Sequence, residues 1–241
     1  AFYGLMQGLE HYINQYKREK IRNEPQLSDE ELDHLLSLKP RAEKVAVKDV
    51  KLRTFITEDD SREDMVSHVY DISYGTIRKG IDNLVIIDDS IVRGTTLEKS
   101  ILSILDRLGP KKIVVVSSAP QIRFPDCYGI DMSKMKDFIA FRAVLALLKE
   151  RNMEHLLKDV YNDCLAMEKV PQKKVKNCVN RLYEAFSDEE ISDKISEIVK
   201  PKHMFSEVQV IFQSVEDMHI AIPEHKGDWY FTGNFPTPGG N

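Results

Sequence analysis

The sequence predicts an α/β domain built on a doubly wound parallel sheet. Three observations predict it. Asn83–Thr96, NLVIIDDSIVRGTT, reads as a buried strand, two adjacent carboxylates and a short loop of small residues. A helix follows at once, with Leu97, Ile101, Leu102, Ile104, Leu105 and Leu108 on one stripe. Gly109-Pro110 closes that helix, and Ile113–Ser118 then reads as the next parallel strand, so strands and helices alternate with short turns.

The other elements follow in chain order. Phe2, Leu5, Met6, Leu9, Tyr12, Ile13 and Tyr16 form a helical stripe from the first residues, with no capping residue ahead of it. The chain therefore reads as the latter part of a longer protein. Ser28-Asp29-Glu30-Glu31 is a capping box that opens a short helix through Leu38, and Pro40 closes it. Val45–Val47 and Leu52–Ile56 read as strands around a basic turn. Glu58–Glu63 is acidic and expected to be mobile, and Met65, Val66, Val69 and Tyr70 repeat as a helix would. Gly80 leads into the strand that starts at Asn83.

Residues 153–204 differ in character. Leu156, Leu157, Val160, Tyr161, Cys164 and Leu165 predict one amphipathic helix. Val175, Cys178, Val179, Leu182, Tyr183 and Phe186 predict a second after Pro171. Ser187-Asp188-Glu189-Glu190 caps a third. These apolar stripes need no role beyond packing on each other or on a neighbouring subunit.

The strand, loop and helix around residues 83–96 form a ready anion site. The free N–H groups of a first helical turn point at a ligand there, and the helix dipole favours negative charge. Gly94 allows a phosphate to approach the backbone closely, and Thr95 and Thr96 add hydroxyl donors. Asp88 and Asp89 stand at the carboxyl end of the strand, where open α/β sheets place their ligands. They suit ribose hydroxyls or a hard cation such as Mg²⁺. The plain alternative is a pair that only begins a turn and caps a helix. The glycine and twin threonines at fixed distance favour the ligand reading, that of a phosphorylated sugar.

These residues resemble a known family. Val85–Thr96 is similar to the phosphoribosylpyrophosphate (PRPP) loop of type I phosphoribosyltransferases, and Ser90–Thr96, SIVRGTT, to the variant found in glutamine PRPP amidotransferases. Ser117–Asp131, SSAPQIRFPDCYGID, resembles the strand and loop that follow in that family. Arg53-Thr54-Phe55-Ile56 resembles the start of its flexible closing loop. Val210–Met218 and Phe231–Thr237 resemble its C-terminal segments. The matches keep the family's order from residue 53 to residue 237.

The resemblance implies a type I phosphoribosyltransferase-like sheet, N-terminally truncated, with an added helical insertion. Residues 1–152 would be the phosphoribosyltransferase domain without its first strand and pyrophosphate loop, 153–204 the insertion, and 205–241 a segment packing back on the domain. It implies transfer of glutamine-derived ammonia to PRPP, giving phosphoribosylamine and pyrophosphate at the start of purine synthesis. Ser90, Ile91, Val92, Arg93, Gly94, Thr95 and Thr96 would hold the 5′-phosphate. Asp88 and Asp89 would hold the ribose hydroxyls and Mg²⁺, and Arg53 would reach over the pyrophosphate as the catalytic residue. For Arg53 the plain alternative is an ordinary surface ion pair. Ammonia would come from an N-terminal glutaminase domain outside this sequence, so the chain alone is expected to turn over weakly or not at all. Purine nucleotides are the expected feedback inhibitors, and a homo-oligomer is expected.

Composition agrees with such an enzyme. The chain has 241 residues, 42% hydrophobic and 30% charged, with a net charge of −5, which does not invite nucleic acid. No apolar run is long enough to span a bilayer and no signal peptide is visible, so a cytoplasmic protein is expected. Cys127, Cys164 and Cys178 lack CxxC spacing and are expected to be free, mostly buried thiols.

Two departures from the family stand out. Its iron–sulfur members use cysteines where this chain has Asp126, Gly227 and Tyr230, so no iron–sulfur cluster is expected. The closing loop is acidic, with Asp49, Glu58, Asp59, Asp60, Glu63 and Asp64, where relatives are basic. That loop favours the competing reading of a non-catalytic PRPP- or nucleotide-sensing module of the same fold. A nucleobase phosphoribosyltransferase is a weaker alternative. The histidines show no HxxH or HExxH pair for zinc, and Trp229 is expected to pack or cap.

Overall fold

The structure, a computed structural model, describes residues 2–24, 26–43, 45–48, 70–73, 75–126, 132–171, 174–225 and 227–236. Arg53, the expected strand Leu52–Ile56, the acidic stretch Glu58–Glu63 and Cys127 lie outside the described residues. The chain divides into two units, Ala1–Val47 with Asp71–Thr76, and Lys48–Tyr70 with Ile77–Asn241.

In the first unit, α1 spans Phe2–Asn23, and none of its residues is buried. The capping box forms as expected at α2, Asp29–Ser37. The Ser28 hydroxyl accepts the Glu31 N–H at 3.3 Å, and a Glu31 carboxylate oxygen accepts the Ser28 N–H at 2.9 Å. β1, Ala46–Lys48, which runs one residue past the first unit, pairs with β2, Tyr70–Ile72. Tyr70 was expected to continue a helix and instead lies in this strand. In Tyr70-Asp71-Ile72 apolar and polar residues alternate, a period that suits a strand. The Ser73 N–H donates to the Val45 carbonyl at 3.0 Å beside it.

The second unit is built on a parallel sheet, and the α/β class is as predicted. β3, Asn83–Asp88, pairs with β4, Lys112–Ser117, and β4 with β5, Glu207–Phe212, in the order β3-β4-β5. Asp88, Ser117 and Phe212 lie in register at the carboxyl ends. On one face Ile113 and Val115 are fully buried and Val210 nearly so. The other face leaves Val85 and Ile211 48% and 43% exposed.

A helix over residues 95–106 follows β3 and opens in a wide turn, Leu97–Ile101, before the regular α3, Leu102–Asp106. The wide turn is an i→i+5 bulge, so the predicted stripe does not keep one helical period throughout. Gly109, at φ +70°, ends the segment as expected. α4 spans Ile139–Glu150, α5 Glu154–Met167, α6 Asn180–Tyr183, α7 Asp188–Val199, α8 Val215–Ala221 and α9 Trp229–Thr232.

The helix expected over Val175–Phe186 shrinks to the four residues of α6. The Asn177 side chain accepts the Val179 N–H at 3.1 Å, a local bond that competes with a longer helix. α7 begins on the expected capping box at Ser187 and packs against both α4 and β5. Its Ile191, Ile195 and Val199 are fully buried, each such side chain contributing about 1.5–3 kcal/mol. The C-terminal segment packs within this unit, because the Tyr230 carbonyl accepts the N–H groups of Arg123 and Phe124 at 2.9 and 3.0 Å. Trp229 packs beside Tyr230, ring centroids 5.7 Å apart. No helix among the described residues is long and apolar enough to cross a membrane.

Candidate functional site

β3 delivers Asp88 to the carboxyl edge of the sheet, and the chain then turns through residues 89–94 into the helix at residue 95. The end of β4 holds this turn. The Ser118 N–H donates to the Asp88 carbonyl at 2.9 Å, and the Ser118 hydroxyl lies 3.2 Å from the carbonyls of both Asp88 and Asp89. Ser118 has no counterpart among the expected site residues. Its only signal in the sequence was its place in the segment Ser117–Asp131.

The two carboxylates bond locally. Asp88 Oδ1 accepts the Asp89 N–H, and Asp89 Oδ1 accepts the Ser90 N–H, each at 2.9 Å. This is the turn-forming behaviour that the plain alternative expects. Among the described residues, however, no Lys or Arg pairs with either carboxylate. Asp88 is half-buried, and that burial, with the hydrogen bond and charge of Asp89 adding, raises its carboxyl above the usual range. Two adjacent acids of this kind suit a cation or a diol. The described residues hold no cluster of three or more His, Cys, Asp or Glu able to bind a metal. A Mg²⁺ here would therefore take the two carboxylates plus oxygens of a substrate, a pattern common for that ion.

The loop residues divide by burial. Ile91 is buried, and the Val92 carbonyl accepts the Ile139 N–H at 2.8 Å, which anchors the loop to the start of α4. Ser90 is half-buried, while Arg93, Thr95 and Thr96 are exposed. The first helical bond is donated by the Glu98 N–H to the Gly94 carbonyl at 2.9 Å. The amides of Thr95 and Thr96 precede it and have no protein acceptor among the described residues. Gly94 has φ +72°, and a Cβ there would meet Val199 and Ile139. Its glycine is thus explained by protein packing as well as by any phosphate.

The structure so brings Asp88 to Thr96 into one turn, in which Asp89, Arg93, Thr95 and Thr96 are exposed. The Thr95 and Thr96 amides have no acceptor among the described residues, while Arg53 lies outside the described residues. Two surface cavities, about 520 and 530 Å³, lie elsewhere, one lined by residues of α5 with Val179 and Leu182, the other by Asn177, Arg181 and Phe235 among others.

A parallel α/β sheet with a loop, a helix start and paired acids at its carboxyl edge is the class of site that such folds use for phosphorylated ligands. Comparison with known proteins is more particular. The chain is similar to amidophosphoribosyltransferases over 24–38% of its length. It is 50% identical over 58 residues to that of Escherichia coli, covering 24% of this chain and 11% of the relative. It is 36% identical over 89 residues to that of Pseudomonas aeruginosa, 37% and 16% of the two chains. It is 35% identical over 91 residues to that of Schizosaccharomyces pombe, 36% and 17%. The chain thus spans between a tenth and a fifth of these relatives. No protein-family model matches it. Among solved structures, glutamine PRPP amidotransferase from B. subtilis complexed with ADP and GMP is 25% identical, with a TM-score of 0.44, covering 80% of this chain and 32% of that one.

Proposed function

We propose that the chain supplies the PRPP-binding sheet of an amidophosphoribosyltransferase, the enzyme that joins glutamine-derived ammonia to PRPP and releases pyrophosphate. The observation that carries the reading is the turn from Asp88 to Thr96. Among the described residues, two acids without a basic partner stand there beside two unbonded helix-start amides.

In this reading the amides and hydroxyls of Thr95 and Thr96, with Ser90, hold the 5′-phosphate. Asp88 and Asp89 accept the ribose hydroxyls and fix the anomeric carbon for attack. Asp88 and Asp89 would also hold Mg²⁺, which supplies charge neutralisation on the departing pyrophosphate. Ile91, by its burial, and Val92, by its carbonyl's bond to the Ile139 N–H, hold the loop in shape for that grip. Arg53 is proposed to meet the pyrophosphate. The glutaminase partner domain, purine nucleotides as inhibitors, a homo-oligomeric state, residues 153–204 as an addition to the domain and a cytoplasmic location remain part of the proposal.

The test is calorimetric titration of the chain with PRPP and Mg²⁺, repeated with Asp88→Asn and Asp89→Asn. Binding that weakens at least tenfold in both variants supports the reading. Equal binding in all three removes the acids from the site. Ammonia-dependent pyrophosphate release by the complete protein separates an enzyme from a sensor, which would bind PRPP without releasing it.

A further inference from the structure

Cys164 on α5 and Cys178 just before α6 lie apart from the turn at residues 88–96, and neither is buried as expected. Both are partly exposed. An ion pair between Asp163 and Arg181 ties the turn of α5 that carries Cys164 to the start of α6. The cavity of about 520 Å³ is lined from α5 by Cys164 and from the other side by Val179 and Leu182, so the residue after Cys178 faces the same space as Cys164. The Cys178 thiol donates to the Lys176 carbonyl at 3.6 Å, and its charge reaches the Cys164 thiol.

We propose that Cys164 and Cys178 are a redox pair that closes to an intrachain disulfide on exposure to a hydroperoxide. One thiolate attacks the peroxide O–O bond, which breaks, giving a sulfenic acid and an alcohol, or water from hydrogen peroxide. The second thiolate attacks that sulfur. The S–S bond forms as the S–O bond breaks, and the hydroxide that leaves takes up a proton as water. Two thiols are oxidised, and their two electrons reduce the peroxide.

Burial, with the charges of Cys178 and Asp163 adding, raises the Cys164 thiol above its ordinary value, so closure quickens as pH rises and thiolate accumulates. The bridge braces α5 against the segment whose Asn177 donates to the Gly233 carbonyl at 3.4 Å. Oxidation therefore stiffens the seat of the C-terminal segment. It raises the melting midpoint by roughly 5–10 °C. The proposal is independent of PRPP binding.

The experiment treats the Cys127→Ser chain with hydrogen peroxide. Expected are a mass loss of two hydrogens, a peptide joining residues 164 and 178, a higher melting midpoint, and reversal by dithiothreitol. Cys164→Ser and Cys178→Ser should each abolish all four. The same peptide is sought in the unsubstituted chain, which decides the matter if Cys127→Ser does not fold. Separate sulfinic acids on the two cysteines, or a disulfide only between chains, would overturn the proposal.

Discussion

Gly94 and Val199 meet so closely that a Cβ on Gly94 would lie 3.2 Å from Val199 Cγ1. Ile139 crowds the same point at 3.4 Å, and the backbone of Gly94 is left-handed at φ +72°. Gly94→Ala therefore meets two costs, the conformation and the contact, together about 1–3 kcal/mol. Denaturant unfolding should show that loss, and Val199→Ala in the same chain should recover part of it. A Gly94→Ala chain as stable as the parent would mean that the loop relaxes away from α7.

Asp88 trades stability for its place at the edge. Its carboxyl is raised in the folded chain, so the folded state binds the proton more tightly than the unfolded one. Stability contributed by this group is greatest below the ordinary value of 3.8 and falls as pH rises through the raised folded value. At neutral pH Asp88→Asn should stabilise the chain, by less than about 1 kcal/mol because the group is half solvated. The same variant should bind PRPP and Mg²⁺ less well. A loss of stability at pH 7 would show that the carboxylate is held by bonds an amide cannot replace.

Asp106 has the opposite sign. Burial disfavours its carboxylate, but the hydrogen bonds from the Ser206 and Phe205 amides outweigh burial and hold its pKa low. The bonds to the Ser206 and Phe205 amides are 2.9 and 3.3 Å, and they join the end of α3 to the start of β5. This stability is present above the ordinary value of 3.8 and lost as pH falls through the lower folded value. Asp106→Ala should cost about 1–3 kcal/mol at pH 7. The two melting curves should converge in strong acid. A difference that persists at low pH would point to packing instead of charge.

Ser196 completes β5 from the side. Its hydroxyl, nearly buried, accepts the Val210 N–H at 2.8 Å and donates to the Ser192 carbonyl at 2.8 Å. Ser196→Ala leaves that strand amide unpaired and should cost about 1–3 kcal/mol. Hydrogen exchange at Val210 should accelerate correspondingly. Unchanged exchange would mean that another group takes the amide.

Local chemistry was legible wherever one short stretch carried it. Ser28 and Ser187 announce their helices because capping is written within four residues, and β3, its loop and Gly109 follow from period and punctuation. What depends on distant contact was not legible. Nothing at Val199 says that it will press on Gly94, far earlier in the chain, and nothing at Ser118 says that it will grip two carbonyls. Tyr70 misled because an apolar residue four places after Val66 satisfies a helical spacing, whereas strand pairing decided its conformation. The stripe from Val175 to Phe186 misled because Asn177 spends its side chain on the backbone next to it.

The bond from one carbonyl, that of Tyr230, to two successive amides has a practical corollary. Any shortened version that stops ahead of Trp229 strands both protons of Arg123 and Phe124 without an acceptor. Damage from such a cut should surface far away, in the stretch downstream of the middle strand, before it shows in overall helix content.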